Sequence, residues 1–552
     1  MNNTSPFDVI IVGSGAGGSA AAYGLTQAGY NVLMLEAGPR FNPATDYPLS
    51  NADWELSRFP LKPGSQGQYT FAPMQKLEPR WQHLRSKNTI NGYLSNQETR
   101  IPSDAGYHHV RGLGGSTLQF TGESHRLHQD AMNMHSRFNV AADWPLSYQD
   151  LMPYYNQAEK LIGVAGDTHI VGRDYTGASL LPPHPFADTS RILQRGAAKL
   201  GLHWQANNRA ALSHSYDGRP SCNYCHNCNR GCPRGDKGSA DVTFIRRASL
   251  TNRLTIKTDL SVIKLENDGN QKISGVICGN HAGQRFSFSA PIIILACGAI
   301  ETPRLLLNSA DTHSPEGLGN ESGQVGQHFM ETLSWTLTGM SDAPLQTFKG
   351  LPADGICWDF NAPDSIPNII GGCRFSSTTA EADLSGPVNY ARRLVAGWGA
   401  EFKASMRQQF GQAVSVGAIG ESLPNAGSFI DLDATTQDEH GLALAQIHSF
   451  LPDTELKRLE FMAQQCSNIL QASGITEIVE SYGSYDLFSS THVFGTCRMG
   501  YDPLTSVTNP VGRSHRWQNL YICDASLFPS SGGGESPSLT IEALALRMAS
   551  SL

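Results

Sequence analysis

The chain of 552 residues has no excess of positive charge and no long apolar run. Its 41 Lys and Arg residues are outnumbered by 49 Asp and Glu residues, and the net charge of −8 argues against a nucleic-acid partner. No apolar run approaches the roughly 20 residues of a membrane helix, so we expect no transmembrane segment. Internal repeats and low-complexity tracts are also missing. The length predicts two or three domains, including interleaved ones.

The N-terminal residues leave no room for an export signal. A strand is predicted from Phe7 to Val12, and the six residues before it are too few for a basic region, an apolar region and a cleavage site. A twin-arginine signal is missing as well. We therefore expect a cytoplasmic protein, or a periplasmic one that is exported with a small partner subunit carrying the signal.

The N-terminal segment has the pattern of a dinucleotide-binding fold. A β-branched strand leads into a glycine-rich turn at residues 13–18, then a helical pattern, then a second strand that ends in Glu36. Gly13 allows a tight turn, Gly15 lets the backbone approach a pyrophosphate, and Gly18 lets the helix pack on the strand. Glu36 is placed to accept hydrogen bonds from ribose hydroxyls, which favours FAD or NAD over NADP.

Three further motifs follow in a fixed order. Residues 111–117 form a second glycine-rich turn, residues 290–299 predict a buried strand that ends in glycine, and residues 530–541 predict a loop that opens a final helix. The four motifs together resemble the glucose–methanol–choline oxidoreductase family, and the match spans Val9 to Arg547. The resemblance implies an α/β fold, with a Rossmann-type FAD domain built from discontinuous segments and an α+β substrate domain on an antiparallel sheet.

The resemblance also implies domain boundaries. The FAD domain would comprise residues 1–45, 105–165, 220–330 and 490–552, with a Cys-rich segment inserted. Residues 46–104 would form an excursion that serves as a cofactor lid or an oligomer contact. Residues 166–219 and 331–489 would form the substrate domain.

A set of FAD contacts follows from the same resemblance. These are Gly13, Gly15, Gly18, Glu36, Arg111, Gly114, Gly115, Ser116, Val262, Asp524 and Ala525. Residues 114–122 and 143–148 are similar to the branch of gluconate, fructose and glucose dehydrogenases and pyranose oxidases. Pyranose oxidases carry a flavin-bonded histidine at the position of Gln119. Glutamine cannot form that bond, so we expect non-covalent FAD.

One histidine stands in a motif that the family uses for catalysis. His492, within residues 491–500, resembles the family's catalytic base, which takes the hydroxyl proton while hydride goes to the flavin. The alternative is a core histidine that bonds to backbone. The family's second polar residue, usually His or Asn before a proline, is replaced by Ser536, which can form a hydrogen bond with the substrate. Glu535 is a substitute for that role or a surface carboxylate.

Four of the 11 cysteines lie close together. Cys222, Cys225, Cys228 and Cys232 have the spacing of bacterial ferredoxins, C-x2-C-x2-C-x3-C-P, and predict an iron–sulfur cluster of the 3Fe-4S or 4Fe-4S type. The gluconate and glucose dehydrogenase branch relays electrons through such a cluster to a cytochrome c or a quinone. Zinc, disulfides and a metal-free loop are the alternatives, and the scatter of the other cysteines disfavours disulfides.

The sequence therefore predicts an FAD-dependent dehydrogenase that acts on a CH–OH group of a small-molecule alcohol or sugar. Its electrons would leave through the cluster to an external acceptor. One alternative is an alcohol or sugar oxidase that uses oxygen and has no cluster. An alternative of another class is a non-catalytic flavoprotein subunit for electron relay. The sequence does not select a substrate, because this scaffold carries many.

Overall fold

The computed structural model describes residues 6–47, 68–89, 98–102, 107, 109–488 and 492–552. Much of the excursion predicted at residues 46–104 lies outside these ranges. Within them, the helices are α1 (Ala16–Gln27), α2 (Pro43–Asp46), α3 (Met134–Phe138), α4 (Tyr148–Ile162), α5 (Asp188–Lys199), α6 (Arg246–Ser249), α7 (Gly298–Asn308), α8 (Pro387–Leu394), α9 (Gly399–Gln409), α10 (Asp453–Ala472) and α11 (Ser538–Ser551). Short 3-10 helices span Pro79–Leu84, Gly115–Leu118, Gln129–Met132, Cys228–Arg230 and Ala525–Leu527, and a π-helix spans Asp241–Ile245.

The strands form several separate sheets. In chain order they are β1 (Val9–Val12), β2 (Val32–Leu35), β3 (Tyr69–Phe71), β4 (Lys87–Asn88), β5 (Ile101–Pro102), β6 (Trp204–Ala206), β7 (Leu254–Lys257), β8 (Ser261–Asn267), β9 (Ile273–Gly279), β10 (Arg285–Phe288), β11 (Ile292–Leu295), β12 (Met330–Glu331), β13 (Leu333–Met340), β14 (Gly355–Cys357), β15 (Cys373–Ser377), β16 (Ala413–Gly420), β17 (Phe429–Gln437), β18 (Ala443–His448), β19 (Glu477–Gly483), β20 (Leu487–Phe488), β21 (Val493–Phe494) and β22 (Leu520–Ile522).

A five-stranded parallel sheet gathers strands from distant parts of the chain, in the order β22-β11-β1-β2-β7. Both β1 and β2 are buried throughout, which is typical of a parallel strand covered on both faces. Helix α1 packs against α11, so the first and last helices of the chain lie together beside this sheet. The predicted Rossmann-type arrangement of discontinuous segments is confirmed, while the exact domain boundaries stay predictions.

A seven-stranded sheet has the order β4-β19-β13-β16-β15-β14-β6, and its pairs are antiparallel. Helix α10 packs on one face of this sheet over a core that includes Leu337, Val416 and Met462. The other face is polar and lines a cavity. This sheet confirms the predicted α+β part of the fold. Among the described helices, none combines the length and the apolar character needed to cross a membrane.

Candidate active site

The first glycine-rich turn connects β1 to α1 and leaves one side open. Gly13 has a φ of +96°, and a Cβ atom there would lie 2.5 Å from the carbonyl oxygen of Ala296. A Cβ atom on Gly18 would lie 2.1 Å from the carbonyl oxygen of Gly13, so helix and strand approach too closely for any side chain. At Gly15 the nearest atom would be the Cα of Gly115, 4.0 Å away. This open side at the N-terminus of α1 suits a pyrophosphate.

Glu36 joins the two glycine-rich turns. Its carboxylate accepts hydrogen bonds from the backbone N–H and hydroxyl of Ser14, at 3.1 and 2.6 Å, and from the N–H groups of Gly38 and Gly112, at 2.9 and 3.2 Å. Burial raises the pKa of Glu36, and these four hydrogen bonds oppose that rise. The side chain therefore fixes the two turns relative to each other. It also lines the cavity, where the sequence predicts that it contacts the ribose.

The second turn lies directly opposite the first. Gly114 has a φ of +116° and precedes the short 3-10 helix at Gly115–Leu118, and Gly115 approaches Gly15 closely. Asp524, near the C-terminus, accepts hydrogen bonds from the N–H of Gly298 at 2.9 Å and from the hydroxyl of Thr302 at 2.6 Å, which holds the start of α7. The two loops and the α7 terminus thus surround one space.

That space is a cavity of about 610 Å³. Most of the sequence-predicted cofactor and catalytic residues line it, namely Gly13, Gly15, Glu36, Arg111, Gly115, Ser116, Val262, His492, Asp524, Ala525 and Ser536. Gly18 and Gly114 do not line the cavity. Gly18 allows a close backbone contact, and Gly114 allows a positive φ, in the two turns that form the cavity wall. Gln119 lines the cavity as well and is buried. The open side at Gly15 and the donors at the start of α1 fit a bound dinucleotide.

The two residues predicted to be catalytic lie side by side in the wall of the cavity. Nε2 of His492 and Oγ of Ser536 are 3.5 Å apart, although 44 residues separate them in the chain. The carbonyl oxygen of His492 accepts hydrogen bonds from the N–H and the hydroxyl of Thr332, both at 3.0 Å. Ser536 lies one residue before Pro537, which caps α11. Two different elements therefore position the pair.

A carboxylate that sequence reasoning missed lies beside this pair. Glu123 has one oxygen 3.5 Å from Oγ of Ser536 and 2.5 Å from Nη2 of Arg374, and Arg209 is 4.0 Å from its other oxygen. Burial alone raises the pKa of Glu123, but nearby positive charges, above all those of Arg374 and Arg209, outweigh burial and hold the pKa well below its ordinary value. Glu123 therefore stays ionised, and its charge favours a proton on His492.

His125 is a second residue that sequence reasoning missed, and it accepts a hydrogen bond from the backbone of Ser536. Its Nδ1 accepts the backbone N–H of Ser536 at 3.1 Å, so the ring carries its proton on Nε2, which donates to Oδ1 of Asn207 at 2.8 Å. Burial lowers the pKa of His125 to about 3, so the ring is neutral at ordinary pH. Asn207 in turn donates to Glu123 at 2.9 Å, which closes the network.

Neither interpretation of Glu535 was right. Its carboxylate is buried and forms an ion pair with Arg173 at 2.8 Å, and it accepts hydrogen bonds from Asn361 at 2.9 Å and from the N–H of His128 at 3.0 Å. It does not line the cavity. Glu535 is a structural group that holds the loop before α11.

Some signal for the missed residues was present in the sequence. Glu123 and His125 follow the second glycine-rich turn within about eight residues, at alternating positions that place both side chains on one face of an extended segment. Their partners Arg374 and Asn207 lie 251 and 82 residues away, and local sequence does not predict such pairings.

The four clustered cysteines border one small cavity of about 10 Å³, close to the volume of a single water probe. Burial raises the pKa of all four thiols, that of Cys228 to about 12. In the part of the chain that the structure describes, no three His, Cys, Asp or Glu side chains come together as ligands for a metal ion. The thiols as arranged do not fit an iron–sulfur cluster.

The cysteine segment at residues 222–232 instead forms a wall next to the cavity. The buried amine of Lys237 donates to the carbonyl oxygens of Cys228, Leu118 and Phe120, at 2.7, 2.9 and 3.0 Å. It thereby ties the segment to the end of the second glycine-rich turn. Asn229 reaches the cavity lining itself.

Comparisons with known proteins agree with this geometry. The chain is 28% identical to paromamine 6'-oxidase of Streptomyces fradiae, over 98% of this chain and 90% of that protein. It is 26% identical to the fructose dehydrogenase large subunit of Gluconobacter japonicus, over 100% and 98%. The crystal structure of pyridoxine 4-oxidase from Mesorbium loti has the same fold, with a TM-score of 0.61, 16% identity and 99% of both chains covered. Two family models described as GMC oxidoreductase match residues 7–332 and 424–545. The chain belongs to the GMC oxidoreductase family, whose members are flavoproteins that use FAD.

Proposed function

We propose that this chain oxidises a CH–OH group of an alcohol or a sugar to a carbonyl. The observation that carries the proposal is the pair formed by Nε2 of His492 and Oγ of Ser536, which lines the same cavity as the two glycine-rich turns. Bound FAD would supply the hydride acceptor. One relative is named as an oxidase of paromamine and another as a dehydrogenase of fructose, and both names support a hydroxylated substrate.

Each polar side chain around the catalytic pair has its own role in removing the hydroxyl proton. His492 takes the hydroxyl proton on Nε2, because an imidazole accepts a proton near neutral pH. The ionised Glu123 stabilises the resulting imidazolium, and Ser536 orients the hydroxyl with its own Oγ. His125 is neutral and holds the Ser536 backbone, so it adds no competing positive charge. Gly13, Gly15, Glu36, Arg111 and the other predicted contacts would hold the cofactor.

The experiment is an anaerobic flavin-reduction screen on the FAD-loaded protein with alcohols and sugars. His492→Ala should slow reduction by about 100- to 10,000-fold, the usual contribution of a positioned general base. His203→Ala is the control, because His203 is largely exposed and pairs with Asp359 away from the cavity. Undiminished reduction of His492→Ala by every substrate that reduces the wild type would refute the catalytic role and favour a non-catalytic relay subunit.

We further propose that bound FAD would supply electrons directly to an acceptor that enters the cavity. The cysteine segment does not fit a cluster, so the proposed reaction contains no step through one. A cytochrome c or quinone acceptor, a small signal-bearing subunit and a periplasmic location stay predictions from the resemblance, and the name of the fructose dehydrogenase large subunit supports a partner subunit. Release of hydrogen peroxide during turnover in air would identify oxygen as the acceptor.

A further inference from the structure

The hairpin formed by β17 and β18 reaches the cavity with its tip, residues 438–442. Gln437 pairs with Ala443 where the two strands end, and the tip connects them. The hairpin lies within residues 331–489, the segment that the resemblance implies for the substrate domain. Four residues of the tip nevertheless belong to the cavity lining, namely Asp438, Glu439, His440 and Leu442.

The tip lies at the end of the cavity where the sequence predicts a ribose contact. A Cβ atom on Gly279 would lie 2.8 Å from Nδ1 of His440, so the His440 ring packs directly on β9. Gly279 pairs with Ser261 of β8, which lines the cavity. The N–H of Leu260, the preceding residue, donates to the carbonyl oxygen of Glu36 at 3.0 Å. Because the ribose of FAD belongs to its adenosine half, His440 stands at the adenosine end of the cavity.

A buried ion pair ties the tip to α7. Nη2 of Arg304 is 2.6 Å from Oδ2 of Asp438, and the two side chains are only 5% and 7% exposed. Nε of Arg304 donates to the carbonyl oxygen of Ala443 at 2.9 Å, and Nδ2 of Asn308 donates to the same oxygen at 3.1 Å. Arg304 and Asn308 also line the cavity, so the tip is fastened to one of its walls.

The charge of Arg304 is already balanced inside the protein. Its Nη1 is 3.0 Å from a carboxylate oxygen of Glu301 in the same helix, so two carboxylates share one guanidinium. Burial alone raises the pKa of Asp438, but the N–H of Leu442 and the charge of Arg304 outweigh burial and hold the pKa below its ordinary value. The pair is therefore ionised near neutral pH, and removing one partner of a buried pair is costly. Arg304 thus serves to hold the tip rather than to bind a phosphate.

The outer side of the tip has a weaker contact. Glu439 lies 3.0 Å from Nδ1 of His281, and both side chains are about half exposed or more, at 47% and 64%. Exposed pairs of this kind contribute little. The tip is therefore held mainly by the buried pair with α7 and by the packing of His440 on β9.

We propose that the tip, residues 438–442, acts as a clasp that opens when FAD enters or leaves the cavity, and that the ion pair of Arg304 with Asp438 keeps it closed. Loss of the contacts to α7 and β9 would uncover the adenosine end of the cavity. The inference concerns retention of the cofactor, so it holds for any substrate and for any electron acceptor.

FAD exchange by the full chain tests the clasp without any turnover. Release is measured after dilution of the FAD-loaded protein, as free FAD separated by rapid gel filtration at set times. Uptake is followed from the flavin absorption spectrum when FAD is added to the flavin-depleted chain. Asp438→Asn keeps an acceptor oxygen for the turn but loses the charge, and it should speed both release and uptake by about tenfold.

A second variant opens the clasp from the other side. Gly279→Ala places a methyl group against the His440 ring without touching the ion pair, so it should also speed both rates. Asp431→Asn is the matched control, because Asp431 pairs with His448 at 2.9 Å in the same hairpin but outside the tip. It should exchange FAD at the rate of the wild type.

Three results would overturn the proposal. Wild-type rates in both Asp438→Asn and Gly279→Ala would show that the tip does not control exchange. Faster release with unchanged uptake would show that the tip only adds affinity, and slower release in Asp438→Asn would identify Arg304 as a phosphate ligand. Equal acceleration in Asp431→Asn would assign the effect to the stability of the hairpin as a whole, which also contradicts the clasp. None of these outcomes depends on the role of His492, so the two proposals can fail independently.

Discussion

The backbone N–H of Ser536 donates to Nδ1 of His125 over 3.1 Å, although 411 residues separate the two positions. Ser536 stands where the resemblance predicts the family's second polar residue, and a buried neutral imidazole accepts a hydrogen bond from its backbone. His125 therefore acts as a positioning residue. Its ring meets Trp358 edge-on, with the centroids 4.8 Å apart, which restricts its orientation further.

His125→Ala should lower the limiting rate of flavin reduction by about 10- to 100-fold, because a misplaced Ser536 no longer orients the hydroxyl. The pH dependence of the rate should keep its shape, since His125 does not titrate near neutral pH. His125→Asn, which offers an acceptor oxygen, should restore part of the rate. A changed pH profile in His125→Ala would instead indicate that His125 exchanges protons during the reaction.

The same histidine should make the fold sensitive to acid. Burial lowers the folded-state pKa of His125 to about 3, below the unfolded value of about 6.5, so its contribution is complete above pH 6.5 and is lost as the pH falls toward 3. The full loss is on the order of 5 kcal/mol. Melting temperatures measured between pH 7 and pH 4 should fall more steeply for the wild type than for His125→Asn. Parallel curves would contradict this assignment.

Glu123→Gln should keep the shape of the network but remove its negative charge. The imidazolium of His492 then loses its nearby anion, so reduction should slow by about tenfold or more. The rising limb of the rate against pH should move to lower pH, because a proton on His492 is less favoured. The ion pair of Arg230 with Asp383 lies outside the network, so Asp383→Asn is the control and should leave the profile in place. A shift to higher pH would argue against the proposed charge coupling.

Gly13→Ala should abolish FAD binding, whereas Gly29→Ala should not. The two glycines have nearly the same φ, +96° and +97°, but a Cβ atom meets the Ala296 carbonyl oxygen at position 13 and nothing within 4 Å at position 29. Both variants carry the cost of a positive φ, roughly 1 kcal/mol. FAD per chain is measured in the supernatant after acid precipitation of the protein. Because Gln119 cannot bond covalently to the flavin, we expect all flavin in that supernatant. Flavin that stays with the precipitate would show a covalent bond.

The purified protein should contain FAD but no iron. Iron and acid-labile sulfide are measured on protein prepared without oxygen, together with the flavin content. Replacing Cys228 by Ser should leave the rate of flavin reduction close to that of the wild type, because the thiols carry no electrons in the proposed reaction. Several iron and sulfide atoms per chain, lost in Cys228→Ser, would restore the iron–sulfur relay that the cysteine spacing predicts.

Local sequence determined the elements with strong periodicity. The β-branched run that ends at Val12, the glycine-rich turn and the strand before Glu36 follow from backbone sterics and burial, and the structure has each of them. Helix α4 also has local signals at both ends, a capping box at Ser147 before its first residue and Gly163 as its C-cap. The position of His492 beside Ser536 followed from the motif resemblance.

Tertiary structure alone decided how charge is distributed around the site. Glu123 and His125 share one segment and Arg374 comes from another, and the ionisation of Glu123 and His125 depends on burial and on the charges around them. Cysteine spacing predicted a cluster, but the folded chain arranges these cysteines around a space the size of one water molecule, with Cys228 buried and Cys225 exposed. Sequence fixes which residues are available, whereas pairing across hundreds of residues depends on the packing of the two sheets.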